Sequence, residues 1–381
     1  MMLIAGFLSL AAAPSITLAA DAEVQWVPFT LTAANQIRFT AQVNGRPAVA
    51  ILDTGVTTTT LSRRFADAAK LQRRVGPSAL TISGPIASAW TQPYTLTFGA
   101  FRRSGGRLAI IDLPTTATGG VSVDLLVGTD MTAPYALDID YEAHRFRLLS
   151  SGRLPFRGSI APLRLGTTWP FYTTDVTIAG MPVGRIAIDT GDGTSLSLSH
   201  RVVDALPRLP AAVTTTLDHA LGGPMVAELA ILPEIDSGTL AIRNIELRIE
   251  PPNGFTDATG MAGRIGSGLL QHYHVLLDPT AGRMVLAAGH DADRIPLRST
   301  SGLLLATRPN RLDVLHVMRG SPAARTGWAG GDTICAVDGV AITPSYASSD
   351  RARWPVGTPG RTVHLTNCAG VTRPITLNHF Y

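Results

Sequence analysis

An all-β-dominated fold is what the sequence predicts: two related β-lobes followed by a small α+β domain. Three observations predict it. Thr and Val are abundant, and 37 Gly and 26 Pro in 381 residues favour short strands joined by turns. An apolar strand runs twice into the same tripeptide, in AVAILDTGVTTTTLS around Asp53 and in GRIAIDTGDGTSLSLS around Asp189. After Leu286 the patterning changes, and a differently ordered stretch begins near Gly302. At 45% apolar and only 16% charged residues the chain is globular, with length for two or three domains. Its net charge of +4 is scattered, almost all of it arginine against the single Lys70. No basic stripe interleaved with aromatics is present, which argues against a nucleic-acid surface.

The first twenty residues carry no charged side chain and hold an apolar stretch too short to span a bilayer. They end in small residues before Asp21, so residues 1–20 read as a secretory signal cleaved near Ala20, although the usual basic start is missing. A non-cleaved anchor or a mis-assigned start is the other reading. An exported, periplasmic or cell-envelope protein, or a secreted one, is therefore expected, with no transmembrane segment in the mature chain.

Reading outward from each Asp-Thr-Gly, the two copies stay in step. Upstream, NGRPAVAILD (44–53) matches AGMPVGRIAID (179–189), a turn and then an apolar strand ending on the Asp. Downstream, LSRRFADA (61–68) matches LSHRVVDA (198–205), a strand end followed by a short helix. SGPIASA (83–89) then stands opposite GGPMVAE (222–228), a Gly-Pro turn suited to a hairpin tip. Last, residues 125–148 match 263–286, aligning Gly128 with Gly266, Tyr135 with Tyr273, Asp140 with Asp278 and Arg145 with Arg283. This is a tandem duplication with small insertions. The expected boundaries are 21–152 for the first lobe, 153–295 for the second and 296–381 for the terminal domain, with 150–159 as linker.

If the copies pack about a pseudo-twofold axis, Asp53 and Asp189 meet there. Two full charges about 4 Å apart repel by about 4 kcal/mol at an effective dielectric near 20. One carboxyl should then stay protonated, leaving an acid and a base on either side of a water. Gly55 and Gly191 let the backbone turn and aim N–H groups at the carboxylates. Thr54 and Thr190 can brace one loop against the other. Val127-Gly128 and Ile265-Gly266 would pack behind the loops. Residues 81–92 and 220–230, with Gly84, Pro85, Gly223 and Pro224, are candidate flaps that bind substrate.

These residues resemble the retropepsin-like aspartyl proteases: apolar-Asp-Thr-Gly, a flap hairpin, then an apolar-apolar-Gly motif and a strand pair. The likeness covers about residues 24–290, counted twice, with both halves in one chain. It implies two pseudo-twofold-related retropepsin/pepsin-like β-lobes, Asp53 and Asp189 as a catalytic dyad, and hydrolysis of a peptide or protein substrate without metal or cofactor. One departure stands out. Asp192 sits where a small or apolar residue is usual, while Val56 holds the matching place in the first copy. A third carboxylate there raises the dyad's pKa further, contacts an unusual substrate group, or marks a drifted second lobe.

Residues from about 300 are similar to the PDZ domains attached to bacterial envelope proteases, through Gly-Ser-Pro-Ala-Ala (320–324), Gly331-Asp332 and Val337-Asp338-Gly339. That likeness makes Gly302, Leu303 and Leu304 the loop that would take a peptide or protein C-terminus, with a helix in 345–354 closing the groove. Packing alone is the alternative role for this domain. Cys335 and Cys368, the only cysteines, each lie in a strand-like run and either pair or stay as two buried thiols. His272 and His274 share a strand face but have no third ligand at useful spacing, so they read as structural. Two functions of different class remain: an aspartic endopeptidase, or a non-catalytic envelope peptide-binding scaffold with degenerate protease lobes. A weaker third option pairs the lobes between chains.

Overall fold

The computed structural model describes residues 14–82, 84–91, 94–208, 212–220 and 223–381. Strands dominate, and helices are short. In the first unit, Arg46–Leu52 runs parallel to Leu125–Val127, which lies antiparallel to Thr60–Ser62, itself parallel to Ala109–Ile111. The second unit repeats this order with Met181–Asp189, Gly263–Gly266, Leu196–Ser199 and Leu240–Glu250. A short helix follows the third strand of each set because a serine caps it. Ser62 accepts the Phe65 N–H ahead of Arg63–Ala68, and Ser199 accepts the Val202 N–H ahead of His200–Ala205.

A further six-stranded sheet joins the two units. Ala136–Asp140 pairs antiparallel with Tyr273–Asp278, in the register Leu137 to Leu277 and Ile139 to Val275. These strands are buried along most of their length, so one apolar core runs through both units, from Leu52 and Val127 to Ile188 and Ile265. Residues 150–159 connect the units. There Ser151 Oγ and the Gly152 N–H both donate to the buried Asp278 carboxylate.

The C-terminal unit has its own core around Trp328, Ile334, Trp354 and Leu365. Its sheet runs Leu303–Arg308, Arg311–Val317, Thr333–Val337, Thr362–Asn367, Thr372–Thr376, leaving Leu303–Arg308 on an edge. Cys335 and Cys368 form a disulfide with Cα atoms 4.9 Å apart. The helix expected over 345–354 is instead two 3₁₀ helices, Tyr346–Ser348 and Asp350–Val356. Ser349 between them is extended, and Pro355 has no N–H to continue an α-helical ladder.

Of the expected leader, residues 1–13 lie outside the described residues. Ser15–Leu18 pairs with Phe101–Ser104 as the outermost strand of the first unit's sheet. Cleavage near Ala20 would remove that strand and leave Phe101–Ser104 as the edge. No described helix is long and apolar enough to cross a membrane.

Candidate active site

Each Asp-Thr-Gly turn sits where a buried strand meets its parallel neighbour. The Asp53 N–H donates to Val127 O at 2.9 Å, and Asp189 stands opposite Gly266 in the matching pairing. The threonines then lock the turns together reciprocally. Thr54 N donates to Thr190 Oγ1 and Thr190 N to Thr54 Oγ1, both at 3.0 Å. Each hydroxyl passes its own proton on, Thr54 Oγ1 to Ile188 O at 2.6 Å and Thr190 Oγ1 to Leu52 O at 2.7 Å. Both threonines are buried, so a side chain without a hydroxyl at either position would strand one N–H donor and one carbonyl acceptor.

This lock brings Asp53 and Asp189 face to face at the floor of a cleft of about 800 Å³. The glycines allow the approach: a Cβ on Gly55 would overlap the Asp189 carboxylate, and one on Gly191 would overlap that of Asp53. Gly55 and Gly191 each donate an N–H at 3.0 Å to the carboxylate of their own turn. Gly128 and Gly266 press against the loops from behind, where a Cβ would strike Val56 O or Asp192 O. From the first unit, Asn35 Nδ2 and Gln36 Nε2 reach across to Gly193 O and Gly191 O at 3.0 and 2.9 Å.

The two acids differ in their surroundings. Burial, and then the charge of Asp189 opposite, hold the Asp53 carboxyl well above the usual carboxylate range. Burial and the Asp192 carboxylate push Asp189 up to about 6, opposed by Arg264 and by the N–H groups of Gly191 and Asp192. Arg264 lies with Nε 3.8 Å from Asp189 Oδ2 and 3.1 Å from Asp192 Oδ2, and it also pairs with Glu250. Although burial works against its charge, the Arg264 guanidinium and the Thr194 N–H keep Asp192 below the usual range.

Arg264 and Glu250 are functional candidates that sequence reasoning missed. The signal was there. Arg264 pairs with Ala187 where Leu126 pairs with Ile51, so it replaces an apolar residue of the first copy. Likewise Glu250 stands opposite Ser199 as Ile111 stands opposite Ser62. Arg264 directly precedes the Ile265-Gly266 pair in sequence.

The flap residues fall differently from expectation. Gly84 and Gly223 sit at hairpin tips with φ of 108° and 117°, which L side chains rarely adopt, and Pro85 and Pro224 are exposed. None of the four lines the cleft. Leu80, Thr81 and Ile82 do so from the first hairpin, and Leu217 and Asp218 from the second. The turn residues were legible from their chemistry, whereas the inward-facing residues depend on how each hairpin leans.

In the C-terminal unit, Leu303 and Leu304 line a second groove of about 390 Å³, together with Tyr346, Trp354 and Val356. Gly302, expected in the same loop, does not line it, and two of the N–H groups expected to face a terminal carboxylate are already paired: the Gly302 N–H donates to Ser299 Oγ and the Leu303 N–H to Ser301 Oγ, at 2.9 and 3.1 Å. Thr216 and Leu229 of the second unit's hairpin line the same groove. His274 Nε2 contacts the Asp138 carboxylate at 2.7 Å, within the sheet that joins the units.

Residues 39–131 match the family model described as aspartyl protease, a stretch holding Asp53, Thr54, Gly55, the first hairpin and Gly128. That part of the first unit is therefore similar to an aspartyl protease domain. No curated protein matches the chain.

Proposed function

We propose that the chain is an aspartic endopeptidase that carries both halves of its site, Asp53 and Asp189, in one polypeptide. The observation that carries the reading is the pair of acids at the floor of the cleft, with burial favouring retention of one proton between them. Water held by the pair attacks the scissile carbonyl carbon. One carboxylate takes the water proton while the protonated partner gives its own to the carbonyl oxygen. Collapse of the tetrahedral intermediate breaks the C–N bond, and the carboxyl that took the water proton delivers it to the departing amine. A hydroxyl proton returns to the other acid as the new carboxyl group forms. Leu80, Ile82 and Leu217 would cover the substrate, and the backbone of both turns would hold the acids in place.

The C-terminal unit is read as a PDZ-like domain that takes a peptide or protein terminus. Its edge strand Leu303–Arg308 and the groove beside it support addition of a strand. The disulfide supports export to an oxidising compartment, periplasmic, envelope or secreted. One observation favours the non-catalytic scaffold as a second reading: the charged residues beside the second turn, where the first has apolar ones.

Peptide cleavage from pH 3 to 8 by the parent, Asp53→Asn and Asp189→Asn separates the two. Cleavage by the parent and its loss in both variants, by about a thousandfold or more, is the expected result. Retained cleavage in either variant, or none in the parent at any pH, would leave the scaffold reading.

A further inference from the structure

Both Asp-Thr-Gly turns follow one backbone plan, yet the volume beside them is filled in opposite ways. Beside the first lie Val56 and Leu126, in an apolar cluster with Ile51 and Val123, and the buried Ile111. Beside the second, at the matching positions, lie Asp192, Arg264 and Glu250. Their side chains are only 6–8% exposed. Val56, Leu126, Asp192 and Arg264 all reach the cleft wall. Three independent apolar-to-charged differences converge on one guanidinium, and that guanidinium faces a single member of the dyad.

The cluster is built to hold Arg264 still. Glu250 Oε2 accepts from Thr256 N and Thr256 Oγ1 at 3.0 and 2.7 Å, which fixes the carboxylate that pairs with Arg264 Nη1. Asp192 Oδ1 accepts the Thr194 N–H at 2.9 Å, and Asp192 Oδ2 accepts Arg264 Nε at 3.1 Å. Phe255 lies against the guanidinium, 5.7 Å from ring centroid to Cζ. On the dyad side, Asp189 accepts two backbone N–H groups, from Gly191 and Asp192, and has Arg264 beside it. Asp53 accepts the Gly55 N–H, and no cation is within salt-bridge distance of it among the described residues. Further along the same wall Arg248 is already paired with Asp218 and Glu246.

We propose that Arg264, clamped by Asp192 and Glu250, is a positioning residue that makes Asp189 the ionised, water-deprotonating member of the dyad and leaves Asp53 as the proton donor. The proposal rests on the peptidase reading and deepens it. In the attack step Asp189 takes the water proton and Asp53 gives its proton to the carbonyl oxygen. In the collapse Asp189 passes that proton to the amine, and Asp53 recovers one from the tetrahedral intermediate's hydroxyl. The arrangement makes the two acids unequal before substrate arrives. Asp192 has a second effect: its negative charge lies near both acids and disfavours ionisation of each.

The test compares the parent with Arg264→Met, Arg264→Lys, Asp192→Asn and the double variant Arg264→Met/Glu250→Gln, which removes the cation and one of the charges it pairs with while keeping Asp192. Two quantities are read: kcat/KM for a peptide against pH, and the titration of aspartate ¹³Cγ signals assigned through Asp53→Asn and Asp189→Asn. Losing the cation should move the acid limb of Arg264→Met up by about one pH unit, while Arg264→Lys restores the parent profile. Asp192→Asn should move both limbs down. In Arg264→Met the two carbon signals should converge or exchange order, whereas in the parent Asp189 ionises first. An unmoved limb in Arg264→Met, shifts of the same sign in Arg264→Met and Asp192→Asn, or carbon signals as far apart in Arg264→Met as in the parent overturns the proposal. If Arg264→Met does not fold, the double variant Arg264→Met/Glu250→Gln, which leaves no unpaired charge at Glu250, is read in the same way. A parent that cleaves nothing removes the peptidase reading, yet the carbon titration still reports which acid Arg264 ionises.

Discussion

Beside the first Asp-Thr-Gly turn lies hydrocarbon, from Val56, Leu126 and Ile111; beside the second, at the same places, lie Asp192, Arg264 and Glu250. The backbones nevertheless agree strand for strand, in order and in parallel or antiparallel sense. So the turn is specified by its glycines, its threonine lock and the buried strands that feed it, and not by what fills the space beside it. The filling is free to set electrostatics instead. A second contrast lies in the hairpins over the cleft. The first, Ala79–Ile86, forms a two-stranded sheet of its own, while the second, Val213–Ser237, belongs to an eight-stranded sheet and reaches the C-terminal unit. Thr214 Oγ1 donates to Arg319 O, Arg319 N donates to Thr215 Oγ1, and Arg319 pairs with Glu228.

The hardest test of the first contrast is Arg264→Leu. Alone it leaves two buried carboxylates without their cation and should cost about 3–5 kcal/mol in chemical denaturation. Adding Asp192→Val and Glu250→Ile should recover most of that loss, since the first unit packs the same volume with apolar side chains. A triple variant as unstable as the single one would mean that the second turn needs its charges to keep its shape.

A finer test uses pH. Burial and Asp189 raise the Asp53 carboxyl, so the folded chain binds its proton more tightly than the unfolded chain does. The resulting stability is complete below the unfolded value, near pH 4, and is lost as pH rises through the folded one. Asparagine does not ionise, so Asp53→Asn should melt above the parent at pH 7, with the gap closing by pH 4. Asp189→Asn should gain less, because it leaves Arg264 without one of its three carboxylate neighbours. Equal gains would make the two acids equivalent in spite of their surroundings.

The smallest effect is expected at the second hairpin. Arg319→Ala removes a half-exposed ion pair and should change stability by no more than about 1 kcal/mol. Amide exchange should rise in Val213–Ala220 and stay unchanged in Ala79–Ile86. Faster exchange in both hairpins would mean that the C-terminal unit acts on the whole cleft and not on one flap.

The repeat, the facing acids and the roles of Gly55, Gly191, Thr54 and Thr190 were legible in the sequence because each answers a local demand. An aspartate ending an apolar strand, a glycine where no Cβ fits and a threonine beside it form a pattern of adjacent residues. Arg264 and Glu250 were not legible in that way. They lie 75 and 61 residues from Asp189 in sequence and meet it only through the pairing of Met181–Asp189 with Gly263–Gly266 and of Leu196–Ser199 with Leu240–Glu250. Both stand where the first copy has an apolar residue, as Asp192 does. The hairpin tips were visible from Gly84 and Gly223, but the cleft-facing Leu80, Ile82 and Leu217 depend on tertiary packing. The expected helix over 345–354 gave way where Ser349 turns extended and splits it into two 3₁₀ pieces, the second of which runs on through Pro355.

The short connection at 150–159, pinned to Asp278, makes the two halves one molecule. In an assembly of two identical subunits any substitution is written on both sides of the axis, so an arginine beside one acid would also stand beside the other. Here each half can drift alone, and a chain of this kind can evolve a left side and a right side where a homodimer could only evolve both at once.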